Sequence, residues 1–424
     1  MTTARSFPPS ILGPIRSATS RYRDVLGRPG APQFFMAAAV ARLGVAMTGL
    51  GLLFSIQHAT GSFAAAGAAT GAFALAEAAV GPQVARLTDR WGQTRIVPLA
   101  AMVHVGAIVV AITAAGHAPI GITLALVVVA GAVIPQPGAL SAARWSRLLP
   151  EPEALRTAFS LEANVNDVVF LSGPILVTLM SSLLAPLAGS AAAGILVAAG
   201  CVALSFQRST APIPRRKPER GADTHRSTLL APQFLATLGV NLGLGCFFGA
   251  VPLLVTAAAT AAAQQPFIGL VLALSSAASI VAGALYGAMR STPQPQTVQL
   301  IASVVLMLAV LVGAVWPTLL GLAIMLLVGG TAIAPLLASS SQIVQATVAP
   351  HELTQGFTWI NSASAAGIAA SAALTGALVA QGGVEAAMPP LMILVGIAVV
   401  SAGFAQARAK AGRRREDVSL KPHR

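Results

Sequence analysis

The chain has 424 residues, of which 55% are apolar and only 9% charged, with a formal net charge of +13 and a mean hydropathy of +0.78. A soluble domain carries roughly a quarter charged residues, so this chain cannot clothe itself in a hydrated surface and the bilayer is its expected solvent. The positive charge does not point to nucleic acid, because the basic residues stand in short clusters between apolar runs, where they orient a membrane protein.

Each crossing takes about 20 apolar residues of helix. The apolar runs here are long and continuous, which predicts helices instead of the alternating strands of a barrel. A polar, basic N-terminal tail occupies 1–32 and lacks the pattern of a cleavable signal. Spans follow near 33–56, 62–85, 96–116, 119–141, 157–184 and 189–207. The stretch 208–229, rich in proline and arginine, reads as a linker. A second set of spans lies near 230–257, 266–289, 297–315, 318–343, 354–380 and 386–406, with a basic tail at 407–424. The expected organisation is an N-terminal six-helix bundle over 33–207 and a C-terminal one over 230–406, joined by the cytoplasmic linker.

The positive-inside rule tests the count, because Lys and Arg should fall on alternate connections. They do so at Arg5, Arg16, Arg21, Arg23 and Arg28, at Arg86, Arg90 and Arg95, and at Arg144, Arg147 and Arg156. The series continues with Arg208, Arg215, Arg216, Lys217, Arg220 and Arg226, then Arg290, then the C-terminal tail. Every Lys and Arg except Arg42 falls on that one side, so both termini are expected in the cytoplasm. Arginine outnumbers lysine 23 to 3 and alanine is abundant, a bias of GC-rich bacterial genomes that suggests a bacterial cytoplasmic membrane.

The two halves carry traces of a repeat at an offset of 200: APQF at 31–34 and 231–234, Pro135 with Pro335, and Pro150 with Pro350. A parallel six-plus-six repeat places a substrate site between the halves near the midplane. Three glycine pairs, Gly67/Gly71, Gly245/Gly249 and Gly283/Gly287, put small residues on one helix face and predict close crossings. Cys201 and Cys246 lie inside apolar runs and read as small buried hydrophobes.

The loop between the second and third spans reads ARLTDRWGQTR, Ala85 to Arg95. It resembles the signature loop of the major facilitator superfamily, with Leu87, Asp89, Arg90, Gly92 and Arg95 matching. Ala85 stands where the family has glycine, and Gln93 and Thr94 replace basic residues. The resemblance implies an all-α membrane protein of two six-helix transmembrane bundles related by a pseudo-two-fold axis, working by alternating access. It also implies a cytoplasmic gate held by Asp89 and Arg90, with Gly92 permitting a tight turn; the alternative is that Arg86, Arg90 and Arg95 only set topology. Ser172-Gly173-Pro174 in the fifth span resembles part of the antiporter signature of drug exporters, though valines at 169 and 177 replace its flanking glycines. A proline kink tolerated by packing explains the same residues. The general style is similar to uncharacterised actinobacterial, drug-efflux-like members of that superfamily.

Four ionisable residues stand inside spans: Arg42, Glu77, Glu162 and Asp167. Such groups are costly in a bilayer and are functional candidates by default. Counting rise per residue from the span ends sets Arg42, Glu77 and Asp167 near one level, with Glu162 shallower. Arg42 needs a carboxylate partner; Asp167 is the expected one and Glu77 the second choice. Asp167 then reads either as a proton-coupling group or as half of a permanent ion pair, and Glu77 and Glu162 read as gate or packing contacts. Candidate cavity residues in the second half are Asn241, Phe247, Tyr286, Trp359 and Asn361, and His104 is either a proton relay or a buried hydrogen-bonded ring.

No phosphate-cradling G-x4-G-K-[ST] loop, metal-ligand spacing or nucleophile motif occurs, so no cofactor, metal or enzymatic activity is expected. The leading expectation is a secondary transporter, monomeric in the bilayer, exporting amphipathic or drug-like small molecules with protons as the coupling ion. A transporter of a sugar or other small polar metabolite, or a non-transporting receptor on the same fold, would share these features.

Overall fold

A computed structural model describes residues 20–214, 228–264, 267–289 and 293–419. Arg5, Arg16, Arg215, Arg216, Lys217, Arg220, Arg226, Arg290, Lys421 and Arg424 lie outside the described residues. A short helical stretch at 20–26 precedes α1 (Ala31–Thr60), α2 (Phe63–Trp91) and α3 (Gln93–Ala114). The fourth span is split into α4 (Ile120–Ala132) and α5 (Pro137–Leu148), and α6 (Pro152–Leu183) and α7 (Ala188–Phe206) complete the first half. The second half has α8 (Pro232–Ala261), α9 (Ile268–Ala288), α10 (Pro295–Val315), α11 (Leu319–Thr347) and α12 (Leu353–Ser419). Gly382 and Gly383 break α12 into two arms, and the positive φ of 70° at Gly383 is a conformation that only glycine adopts cheaply.

Among the described residues, eleven stretches have the length and hydropathy of a membrane crossing. α2 is the remaining long helix, less apolar because it carries Glu77, Arg86, Asp89 and Arg90. The chain is therefore a multi-pass membrane protein. Its outer surface is apolar, as a lipid-facing one must be: Met102, Val109, Ile195, Ile393 and Val400 are all exposed.

The two proline positions at the 200-residue offset behave differently. Pro335 lies within an unbroken α11, whereas Pro135 falls in the gap between α4 and α5. Two prolines explain the gap. Pro135 and Pro137 together remove the N–H donors that the Gly131 and Val133 carbonyls would need in a continuous helix. Ile134 N–H bonds Gly131 O instead, at 3.4 Å. His104 supports the same break, because its Nδ1 donates to Ala130 O at 2.8 Å and satisfies a carbonyl of the last turn of α4.

Each half has its own apolar core, and a third cluster crosses between them, joining Phe34, Trp145 and Phe159 to Val344, Phe357 and Ile360. The halves touch through α6 against α9 and α11, and through α2 and α5 against the first arm of α12. Two glycine pairs make the close crossings they predict. Gly245 and Gly249 lie against the Ser364 and Ile368 carbonyls of α12, and Gly283 and Gly287 lie against Asn164 and Ser160 of α6. Gly67 and Gly71 meet nothing within 4 Å and make no such crossing.

Candidate functional site

The intramembrane charges resolve into two sets, because α6 presents different faces to its neighbours. Glu162 pairs with Arg42 of α1 through its Oε2. Its Oε1 accepts hydrogen bonds from Ser141 Oγ at 2.5 Å and Trp145 Nε1 at 2.6 Å, both on α5. Trp145 is fully buried, edge-on to Phe34 with ring centroids 4.6 Å apart. Every one of these partners belongs to the first bundle. The cluster ties α1, α5 and α6 together, with the pair both desolvated and hydrogen-bonded, the condition for a tolerable buried ion pair.

Arg42 is thus paired with Glu162, not with the expected Asp167. The physical reason is helix phase and depth. α6 begins at Pro152, five residues before the expected span, so Asp167 lies about 7.5 Å further along the helix axis than Glu162 and about 140° around it. Glu162 and Gly173 share the side toward α1, where Gly173 approaches Ala46. Ser160, Asn164 and Asp167 share the side toward α9.

On that second side the helices run antiparallel in a regular register. Ser160 meets Gly287, Asn164 meets Gly283, and Asp167 stands across from Ser279, each step one helical turn apart. Asp167 is 8% exposed, its Oδ2 has no hydrogen-bond partner among the described residues, and the Ser279 hydroxyl faces the carboxylate. Among the described residues no cation pairs with it. It is a buried carboxylate at the seam between bundles, and the zipper of small residues covers it on the side of the basic loops.

That basic end is closed by helix capping across the seam. The last carbonyls of α9 accept from the first half: Arg21 Nη1 donates to Ala288 O at 2.6 Å, Thr157 Oγ1 to Gly287 O at 2.7 Å, and Arg156 Nη2 to Met289 O. Tyr22 Oη donates to Ala284 O at 3.2 Å. Cationic donors suit a helix C-terminus, where the carbonyls are otherwise unpaired. The opposite polarity appears at α12, where Asp89 Oδ2 accepts the Gln355 N–H at 2.9 Å in the first turn. Asp89 lies beyond the apolar part of α2, and burial pushes its carboxyl up to about 7, against the opposing pull of the Thr354 and Gln355 hydrogen bonds.

The other motif residues do separate jobs. Gly92, at φ 93°, turns α2 directly into α3, and a Cβ there would meet Pro214 Cγ at 3.0 Å. Arg90 rests over the Trp91 ring at 5.5 Å, and both Arg90 and Arg95 are exposed. Gln93, at a position where the resemblance has a basic residue, is buried and donates to Leu140 O at 3.3 Å. It accepts from Arg144 Nε at 2.8 Å. Arg144 is fully buried and also donates to Leu204 O and Gln207 O, closing the end of α7, and to Thr210 Oγ1. Sequence reasoning counted Arg144 only as a topology charge. Its signal was the neighbouring Trp145, a large apolar residue beside a supposed loop arginine.

The cavity candidates separate by burial. Asn241 and Phe247 sit buried in the packing of the second bundle. Asn241 donates to Thr237 O at 2.9 Å and Ser340 Oγ at 3.1 Å, and Phe247 is fully buried beside Gly329. Tyr286 lies in the closed end, accepting from Gln342 at 3.0 Å under the Arg156 guanidinium. Trp359 packs against the cluster that crosses between the halves, and Asn361 is exposed. Glu77 is half-buried, with Oε1 accepting from Gln136 Nε2 at 2.9 Å.

No protein-family model matches the chain, and no curated protein matches it by sequence. Solved structures do match by shape. The human organic anion transporter MFSD10 (TETRAN) superposes with a TM-score of 0.66 at 16% identity, covering 94% of this chain and 100% of that one. A bacterial homologue of the iron transporter ferroportin, in an outward-facing state, gives 0.67 at 15% identity, covering 89% and 97%. At such identities the likeness is one of fold alone: this is an all-α membrane protein with two six-helix bundles arranged as in those structures.

Proposed function

We propose that the chain is a secondary active transporter working by alternating access, with Asp167 as the proton-carrying group, and that it exports amphipathic small molecules. The observation that carries this reading is the Asp167 carboxylate, sealed at the seam between bundles without a cation. An ionised carboxylate in that position costs several kcal/mol, and protonation removes the cost. Parting α6 from α9 at the basic end would expose Asp167 to the opposite compartment and release the proton. The Arg42–Glu162 cluster takes no part in this exchange and serves as the frame of the first bundle.

In this reading the positive-inside rule sets the basic end, which the zipper and the caps close, on the cytoplasmic side. The two neighbouring structures act on an organic anion and on iron by their descriptions, so the shared fold carries no substrate. The apolar seam and the Gly173-Pro174 pair favour amphipathic cargo.

The test is proton movement in proteoliposomes under an imposed pH gradient, read by an internal pH dye during addition of lipophilic amines, organic anions and sugars. Compound-triggered flux that disappears in Asp167→Asn is the expected result. Flux equal to wild type in that variant would sink the assignment of Asp167, and flux driven by sugars alone would overturn the substrate class.

A further inference from the structure

Glu77 is the second intramembrane carboxylate without a cation among the described residues, and its setting differs from that of Asp167. One oxygen is fixed: Oε1 accepts from Gln136 Nε2 at 2.9 Å. No described residue donates to the other. Gln136 stands in the gap between α4 and α5, so the group that orients Glu77 belongs to a helix break. Such a break sets the negative end of a half-helix inside the membrane, and Val133 O loses its helical donor to Pro137. The unpartnered Glu77 oxygen is an acceptor that favours a positively charged donor, while the N-terminal end of α5, which Gln136 precedes, carries the opposite polarity.

The position of Glu77 along the seam gives it access. Gly81, one turn nearer the basic end on the same face of α2, lies between Gln136 and Thr358 of α12; a Cβ there would be 3.7 Å from Thr358 Cγ2 and 3.9 Å from Gln136 Nε2. Gly81, Thr354 and Thr358 are buried, and a cavity beside them has room for about one water molecule. One turn further, the antiparallel register brings Glu77 level with Asn361 and Ser362. Here the burial ends: Glu77 is half-buried and Asn361 exposed. The packing of α2 on α12 thus loosens from Gly81 toward Glu77, and the register sets Asn361 of the facing helix near the level of Glu77.

We infer that Glu77, held by Gln136 and faced by Asn361, binds the ammonium group of an amphipathic primary amine whose apolar body lies along the seam. Glu77 offers the charge, Asn361 a side-chain carbonyl acceptor, and the alanine-rich segments around both a surface for the apolar part. This rests on the transporter reading above and names its cargo class. The two carboxylates then have distinct roles, with the sealed Asp167 carrying the proton and Glu77, open on one side, holding the cargo.

Equilibrium binding tests it without requiring transport. The probe is dansylcadaverine, a fluorescent primary amine, titrated against the full chain in lipid nanodiscs, with its neutral N-acetyl derivative as the comparison. Saturable binding should weaken at least tenfold in Glu77→Gln, which keeps an acceptor for Gln136 and leaves the melting temperature in place. Asn361→Ala should weaken it less, and the neutral derivative should bind wild type no better than the amine binds Glu77→Gln. Equal affinity of wild type and Glu77→Gln, equal affinity of the two probes, or no saturable binding to wild type would each overturn the assignment. Amine binding that depends on Glu77 while no proton moves in proteoliposomes would spare this site and sink the coupling reading. Amine-driven proton flux that persists in Glu77→Gln would do the reverse.

Discussion

Glu162 and Asp167 stand five residues apart on α6 and face different bundles. Glu162 turns toward Arg42 within its own half, and Asp167 turns toward Ser279 of the other half. One helix thus carries a fixed charge on one side and an uncompensated carboxylate on the other, and the two should respond differently to substitution.

Removing one partner of a buried, hydrogen-bonded ion pair costs about 3–5 kcal/mol, because the other charge is left without compensation. Arg42→Met and Glu162→Gln should each lose stability on this scale in detergent unfolding experiments. The double substitution Arg42→Met with Glu162→Met should lose clearly less than the sum. Additive losses would mean that the two side chains act independently.

The α6–α9 zipper depends on the absence of side chains. A Cβ at Gly283 would collide with Asn164 Oδ1 and Ala334 Cβ, so Gly283→Leu should force the helices apart. Spin labels on Arg147 and Arg408, both at the basic end, should then report longer distances than in wild type. An unchanged distance distribution would show that the closed end does not rely on this contact.

The caps on the end of α9 should be separable from the zipper. Hydrogen bonds from charged donors contribute about 1.5–3 kcal/mol, and neutral ones about 0.5–1.5. Arg156→Ala should therefore shift the same spin-label distances toward the open form more than Tyr22→Phe. Equal effects would deny the guanidinium a special part in closing.

Closure should also depend on pH through Asp89. Burial in the closed state raises its carboxyl to about 7 from the ordinary carboxylate range, so the closed form binds this proton more tightly than an open, solvated one. The contribution of Asp89 to closure is complete below the ordinary carboxylate range and is lost as pH rises through about 7. The closed fraction of wild type should fall as pH rises from about 4 to about 7, between the ordinary carboxylate value and the raised one, by this linkage. Asp89→Asn should flatten that part of the profile; a profile identical to wild type would exclude Asp89 as its source.

What the sequence made legible follows from the solvent. A bilayer forces long apolar helices and one-sided loop charge, so the spans and the two halves could be read directly. Which face of α6 looks at α1 depends on where the helix begins, and apolar composition does not mark that point. A five-residue error at Pro152 was enough to assign Arg42 the wrong carboxylate. Asn241 shows a related ambiguity: a polar residue in an apolar helix suggests a cavity, and its amide also donates to Thr237 and Ser340 within the bundle. The split of the fourth span was present as Pro135 and Pro137. The repeat at Pro335 disguised it, because one proline bends a helix that two can interrupt.

The cap on α9 is asymmetric in a way that bears on how such a chain can change over generations. Its acceptors are main-chain carbonyls, which no codon replacement removes. Its donors, Arg21, Tyr22, Arg156 and Thr157, are side chains that single substitutions can erase. Variation that retunes the closed end therefore has to accumulate in the first half. The facing end of the second half keeps its main-chain acceptors through drift in sequence, provided its glycines and Tyr286 persist.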